Sequence, residues 1–234
     1  MSDDPETARQ IAALARDPRP LLVLDVDEVV LEFVRPFTGF LNARQLALKT
    51  TSFRLHGNIV EAATGAALED RLVGELIAAF FEAQEDWQTA AAEAATGLAS
   101  LAGQAEIVML TAMPHRHRNA RRALLDRLGF PYPLVTTERA KGPAIAMLRG
   151  DTPRPVAFVD DLPSNLVSVR QSVPEAHLFH LMMHPEFRAL LPPLPDGVVA
   201  AEDWRDAVPR IAAALGIAPD AAAAAAHAAA VVKA

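Results

Sequence analysis

The sequence contains no cysteine. Disulfides, thiolate metal sites and cysteine nucleophiles are therefore excluded. There is no basic excess: Lys plus Arg number 22 against 29 for Asp plus Glu, a formal net charge of −7. Nonspecific nucleic-acid binding needs a basic footprint, so no nucleic-acid partner is expected. Nor is there a long hydrophobic run. The longest weakly polar stretch is the C-terminal alanine tract, which is too weakly hydrophobic for a membrane span. The opening residues Met1 to Glu6 are acidic and lack the apolar core of a secretory signal. The expectation is a cytoplasmic chain with no membrane partner.

What is present is enough for a large packed core. The chain has 234 residues, 51% of them hydrophobic, which suits one α/β domain or a core domain carrying an insert. Leu21 to Leu24 form an unbroken apolar run that delivers two carboxylates, Asp25 and Asp27. Such a run reads as a strand buried on both faces, as in a parallel sheet. In open α/β sheets the ligand crevice lies outside the carboxyl ends of the strands. Two acids there are placed for chemistry, although the same pair could simply cap a following helix.

The rest of the chain repeats the theme. Helices are expected over 4–17 (capped by Asp3 or Asp4), 35–48, 67–86, 88–101, 115–128, 143–149, 164–172 and 202–215. Strands are expected over 105–111, 132–136, 155–159, 176–182 and 198–200. Turn chemistry at His56-Gly57-Asn58 suggests a hairpin or irregular loop between Phe53-Arg54-Leu55 and Ile59-Val60. Alternating strands and helices predict a doubly wound, mostly parallel sheet. The interval between the first two strands is too long for one crossover, so residues 33–90 read as a small helical insert. The core is then 1–32 and 91–216. The Ala-rich tail, 217–234, reads as a loosely docked terminal helix that Asp220 could cap, or as a dimer contact.

Four strand ends or adjacent loops carry Asp25 and Asp27, Thr111, Lys141, and Asp160 and Asp161. On a parallel sheet these fall at one edge. Carboxylates converging from two strands repel unless a cation sits between them, and hard oxygen ligands select Mg²⁺. A lysine and a hydroxyl beside it make a receptor for a phosphoryl group. Without cysteine, a carboxylate can be the nucleophile. Asp25 is the first acid out of the strand, and Asp27 could then serve as the proton carrier.

Leu24-Asp25-Val26-Asp27, Met109-Leu110-Thr111, Lys141, and Phe158-Val159-Asp160-Asp161-Leu162-Pro163-Ser164-Asn165 resemble, in the same order, the four motifs of the haloacid dehalogenase-like hydrolase superfamily. The resemblance spans about residues 20–182. It implies a Rossmann-like core and a Mg²⁺-dependent phosphatase that forms an aspartyl-phosphate. Asp25 would be the nucleophile and a metal ligand, and Asp27 the general acid/base, with its carbonyl on the metal. Thr111 and Lys141 would hold the phosphoryl oxygens. Asp161 would ligate the metal directly, and Asp160 would act through water or from behind. Asn165 falls where many relatives carry an acid and would play a supporting role. Dehalogenating members lack the acid at Asp27, so the resemblance is to phosphatases. An insert between the first two motifs is, in that family, a cap that selects the leaving group, so a small-molecule phosphate is the expected partner. Where relatives place Gly after the second Asp, this chain has Glu28, which puts the geometry of the following flap in question.

Within the insert, Arg54 and His56, with Asn58, are candidate substrate contacts, unless they belong to a surface loop. His115-Arg116-His117-Arg118 could draw in an anion or form a solvated helix face. His177, His180 and His184 lack the spacing of a zinc site. Two other classes fit parts of the pattern. A phospho-accepting receiver domain gathers similar residues but places its Lys last, whereas Lys141 precedes Asp160. A catalytically inactive binding relative is suggested by Glu28.

Overall fold

The computed structural model describes residues 4–15 and 17–231. It opens with α1 (Pro5–Ala12), capped by Asp4 Oδ1, which accepts from the Thr7 amide at 3.1 Å. The other candidate cap, Asp3, lies outside the described residues. The helix is shorter than the predicted 4–17. Next come β1 (Leu21–Leu24), α2 (Val34–Asn42), β2 (Leu46–Leu48), β3 (Ile59–Glu61), α3 (Asp70–Glu82), α4 (Gln84–Trp87) and α5 (Ala94–Ala102). Then follow β4 (Glu106–Thr111), a 3-10 turn at His115–His117, α6 (Arg118–Arg127), β5 (Leu134–Thr136) and α7 (Lys141–Arg149). The chain ends with β6 (Val156–Asp160), α8 (Pro163–Ser172), β7 (His177–Leu181), α9 (Pro185–Ala189), β8 (Val198–Ala201), α10 (Trp204–Leu215) and α11 (Ala221–Val231).

Six strands make one sheet in the order β5-β4-β1-β6-β7-β8, and every pairing is parallel. Successive side chains of a strand face opposite ways. Leu22 and Leu24 accordingly join one core with Leu98, Leu124 and Trp204, while Leu21 and Val23 join the other with Ile145, Leu166 and Val169. The helices α5, α6 and α10 cover one face, and α7 and α8 the other. The doubly wound reading is correct. Strand order reverses at β1: the chain moves outward to β4 and β5, then returns to the other side of β1 with β6. That reversal is where such sheets open a crevice.

The chain leaves this core after Leu31 and returns at Ala90, where the two crossings pair antiparallel. The Glu32 amide donates to the Thr89 carbonyl, and the Ala91 amide to the Val30 carbonyl, both at 2.9 Å. The segment between has its own core of Phe37, Phe40, Leu41, Ile59, Val73 and Phe80. It is not wholly helical as predicted. β2 and β3 form a hairpin, with Leu46 opposite Glu61 and Leu48 opposite Ile59. The hairpin therefore uses 46–48, which had read as the end of a helix, and not Phe53-Arg54-Leu55. Residues 49–58 are its long connection. α9 was not anticipated: five residues behind a proline carry too little periodicity to register. The tail packs on α5, with the Asp220 amide donating to the Ser100 carbonyl at 2.8 Å and Asp220 Oδ1 capping α11. Val232, part of the same tract, is outside the described residues. No helix among the described residues is long and apolar enough to cross a membrane.

One contact behind the sheet edge is unusually close. A Cβ on Gly142 would stand 2.2 Å from the Ser168 carbonyl oxygen, so α7 and α8 can meet only over a glycine. Gly142→Ala is expected to destabilise the fold by about 1–3 kcal/mol, since overpacking forces backbone to move. Urea unfolding of the variant beside the wild type measures it, and an unchanged midpoint would contradict the close approach.

Candidate active site

Asp25 leaves β1 with its amide still bonded to the Val159 carbonyl at 2.9 Å, so it stands at the point of strand reversal. Thr111 ends β4 and Asp160 ends β6, on either side of it. Lys141 opens α7 and reaches the same edge from below. Its Nζ lies 2.6 Å from Asp25 Oδ1 and donates to Asp160 Oδ2 at 2.7 Å. The ammonium is 1% exposed. Burial alone would lower its pKa, but Asp160 and Asp25 outweigh that and raise it above the ordinary range.

The acids outnumber their cation. One carboxylate oxygen from each of Asp25, Asp160 and Asp161 lies within 4.8 Å of the others, and all three residues are buried. Both oxygens of Asp160 are engaged. Oδ1 accepts from the Leu162 amide at 2.8 Å, Asn165 Nδ2 donates to Oδ1 at 3.0 Å and to Oδ2 at 3.1 Å, and Lys141 holds Oδ2. The Asp161 carboxylate has no such partner among the described residues. Its carbonyl accepts from His180 Nε2 at 2.9 Å, which fixes the backbone. Burial first, then the charges of Asp160 and Asp25, push the Asp161 pKa well up. Burial also raises that of Asp25 to about 7, despite the opposing pull of Lys141. Three buried carboxylates against one ammonium leave a deficit of positive charge, and hard oxygens at this spacing fit a metal cation.

Asp27 stands apart from that cluster. Arg121 Nη1, fully buried on α6, donates to both of its carboxylate oxygens at 3.0 Å, and Gln88 Nε2 donates to Oδ1 at 2.8 Å. Arg121 is in turn held by the side-chain oxygens of Gln84 and Gln88. Glu28 takes φ 63°, the left-handed conformation in which glycine is at ease. Its Oε2 accepts from the Phe33 amide at 3.0 Å and the Val34 amide at 2.9 Å, capping α2. These two bonds offset a strain of about 1–2 kcal/mol. The flap turn is thus made without glycine, and the side chain that replaces it ties the turn to the insert.

Above the acids lies a cavity of about 470 Å³. Asp25, Asp27, Thr111, Lys141, Asp161 and Asn165 form its floor. Its walls come from the insert and from the segments after β4, β6 and β7. Arg54 and His56 do not reach it. Both are exposed, His56 pairs with Asp70 at 3.2 Å, and their neighbours Phe53 and Leu55 line the wall instead. Asn58 is structural: its Nδ2 donates to the Ser52 and Arg54 carbonyls at 3.1 and 2.6 Å and shapes the loop. His115 and Arg118 also point elsewhere. His115 bonds Thr136 Oγ1 at 2.6 Å and Asp4 at 3.0 Å, and Arg118 donates to the Leu134 carbonyl.

No protein-family model matches the sequence, and no curated protein is significantly similar to it. Solved structures do match. A conserved haloacid dehalogenase-like protein of unknown function from Agrobacterium tumefaciens superposes with TM-score 0.56 at 13% identity, over 85% of this chain and 99% of its own. A predicted phosphoglycolate phosphatase from Haemophilus somnus gives 0.55 at 14%, over 84% and 100%. A family hydrolase from Deinococcus radiodurans, with bound phosphate and sodium, gives 0.50 at 15%, over 88% and 100%. The chain has the haloacid dehalogenase-like fold.

Within that fold, sequence reasoning missed Arg121, Gln84 and Gln88. A signal existed for Arg121. It shares a helical stripe with His117, Leu124 and Leu125, all buried, and an arginine on an apolar stripe needs a buried partner.

Two measurements probe this site. Asp25 has a folded pKa of about 7 against an unfolded value of 3.8. The folded state therefore binds the extra proton between those values, and metal-free stability from this group falls as pH rises through about 7. Thermal melts with and without millimolar Mg²⁺ should show a larger gain at pH 8 than at pH 5; equal gains would contradict a cation among these acids. For Glu28, replacement by Ala should lower stability by about 1–3 kcal/mol through two unsatisfied amides. Glu28→Gly should lose less, because φ strain is relieved. Chemical denaturation of both variants ranks them.

Proposed function

We propose that the protein is a Mg²⁺-dependent phosphatase that hydrolyses a small phosphomonoester through an aspartyl-phosphate. The observation that carries this is Asp25, at the strand reversal, bonded to Lys141 and facing Asp161 across the floor of a cavity. The solved structures of the same fold support it, among them proteins described as a phosphoglycolate phosphatase and as a hydrolase with bound phosphate.

Asp25 and Asp161, with the Asp27 carbonyl, would hold Mg²⁺, and Asp160 would stand behind them, engaged with Lys141 and Asn165. The ion would supply charge neutralisation on the phosphoryl oxygens. A carboxylate oxygen of Asp25 attacks phosphorus while the bond to the ester oxygen breaks, and the departing alcohol takes a proton from Asp27. Water then attacks the acyl phosphate, Asp27 takes its proton, and inorganic phosphate and free Asp25 result. Lys141 and Thr111 hold the transferring oxygens. Arg121 and Gln88 fix where Asp27 stands. Residues 33–90 act as the cap that excludes water.

One observation favours a second reading. Both carboxylate oxygens of Asp27 are already bonded to buried Arg121, which leaves fewer lone pairs for a reacting group. A protein that binds a phosphorylated ligand without turnover would look the same. Phosphate release from a panel of phosphomonoesters with Mg²⁺ distinguishes them. The expectation is measurable turnover that falls by about 10³-fold or more in Asp25→Asn. Equal turnover by both proteins removes Asp25 from the reaction, and none from either favours the binding protein.

A further inference from the structure

The cavity walls are as informative as its floor. Phe33, Phe53, Leu55, Ile77 and Phe81 of the insert face Met113 and Phe187 of the core. Phe53 and Phe187 meet edge to face at 6.0 Å, closing the roof across the two parts. Among the lining residues Lys141 is the only basic side chain, and both of its carboxylates lie within 2.7 Å. The other charges facing the cavity are acidic: Asp25, Asp27, Glu28 and Asp161.

A phosphoryl group on the floor therefore leaves the rest of its molecule against hydrocarbon. A second phosphate or a carboxylate there would lose water and gain no cation, which is strongly unfavourable. Sugar hydroxyls would lose hydrogen bonds with no polar wall to replace them. An aryl or alkyl group would lie against apolar walls, in a cavity within the size range of small-molecule sites. We infer that the substrate is a phosphomonoester of an apolar alcohol, aryl or medium-chain alkyl, and that the insert selects it by excluding a second anionic charge. This inference rests on the phosphatase reading for turnover, but the preference it assigns is one of binding.

Two assays separate the two claims. With Mg²⁺, kcat/KM is compared for phenyl, 1-naphthyl and n-hexyl phosphate against phosphoglycolate, glucose 6-phosphate and AMP. Separately, calorimetry measures non-hydrolysable benzylphosphonate and n-hexylphosphonate against phosphonoacetate. The expectation is at least about 100-fold higher kcat/KM for the apolar esters and at least about tenfold tighter binding of the apolar phosphonates. Ile77→Arg, at a half-buried wall position, should shift both preferences toward the doubly charged ligands. Leu55→Arg repeats the test should the first variant melt early. Turnover that favours phosphoglycolate, glucose 6-phosphate or AMP, or binding that favours phosphonoacetate, overturns the inference; with turnover present it leaves a phosphatase in place. Apolar phosphonates that bind preferentially without any ester being hydrolysed uphold the pocket and overturn the phosphatase.

Discussion

The structure depends on one buried ammonium. Lys141 sits between Asp25 and Asp160 with almost no water, where neither partner could be removed without stranding a charge. Bringing it there takes several arrangements at once. β1 must lie between β4 and β6, so that the ends of all three converge. α7 must approach α8 over Gly142, so that its first residue reaches the sheet edge. Asp160 must be held by the Leu162 amide and Asn165, so that the lysine meets an oriented carboxylate. Even then the acids exceed the lysine, and Asp25 and Asp161 share the excess as raised pKa values. Three buried carboxylates around one ammonium fit a cation by their own electrostatics, before any relative is considered.

The floor is ionic and the roof is hydrocarbon, and three joints connect them. Glu28 reaches from the first strand's exit to the amides that open α2. Arg121 reaches from the core to Asp27 and to both glutamines at the insert's return. Phe53 of the insert meets Phe187 of the core. The first two joints lie beside the paired crossings at Leu31 and Ala90, and they are polar and fully bonded. The third is apolar.

The chemistry of the floor was legible because strand ends advertise themselves. Apolar runs ending in Asp25, Thr111 and Asp160 can be read without any contact information, and the parallel sheet brings them together. The insert was less legible for the same physical reason. Its 46–48 strand is half-buried and three residues long, so neither alternation nor length set it apart from the preceding helix. Arg54 and His56 are polar side chains of the 53–58 loop, yet the chain alternates there, and Phe53 and Leu55 take the inward positions. Glu28 was recognised as a departure, but not what it does. A glutamate at a glycine position becomes intelligible only when its side chain is seen on amides five and six residues ahead.

The placement of the joints bears on how the cavity would open. Rotation about the paired crossings moves nearby groups little, so the bonds of Glu28 and Arg121 would strain least. Parting Phe53 from Phe187 would let water in between two apolar surfaces. An apolar occupant touching both surfaces adds to the contact that closes them. A charged occupant keeps its hydration only while the roof is parted, so it works against closure. On that proposal, selection by the walls and exclusion of water from the floor would be one event, with the polar joints near the crossings holding Asp27 in register with Asp25.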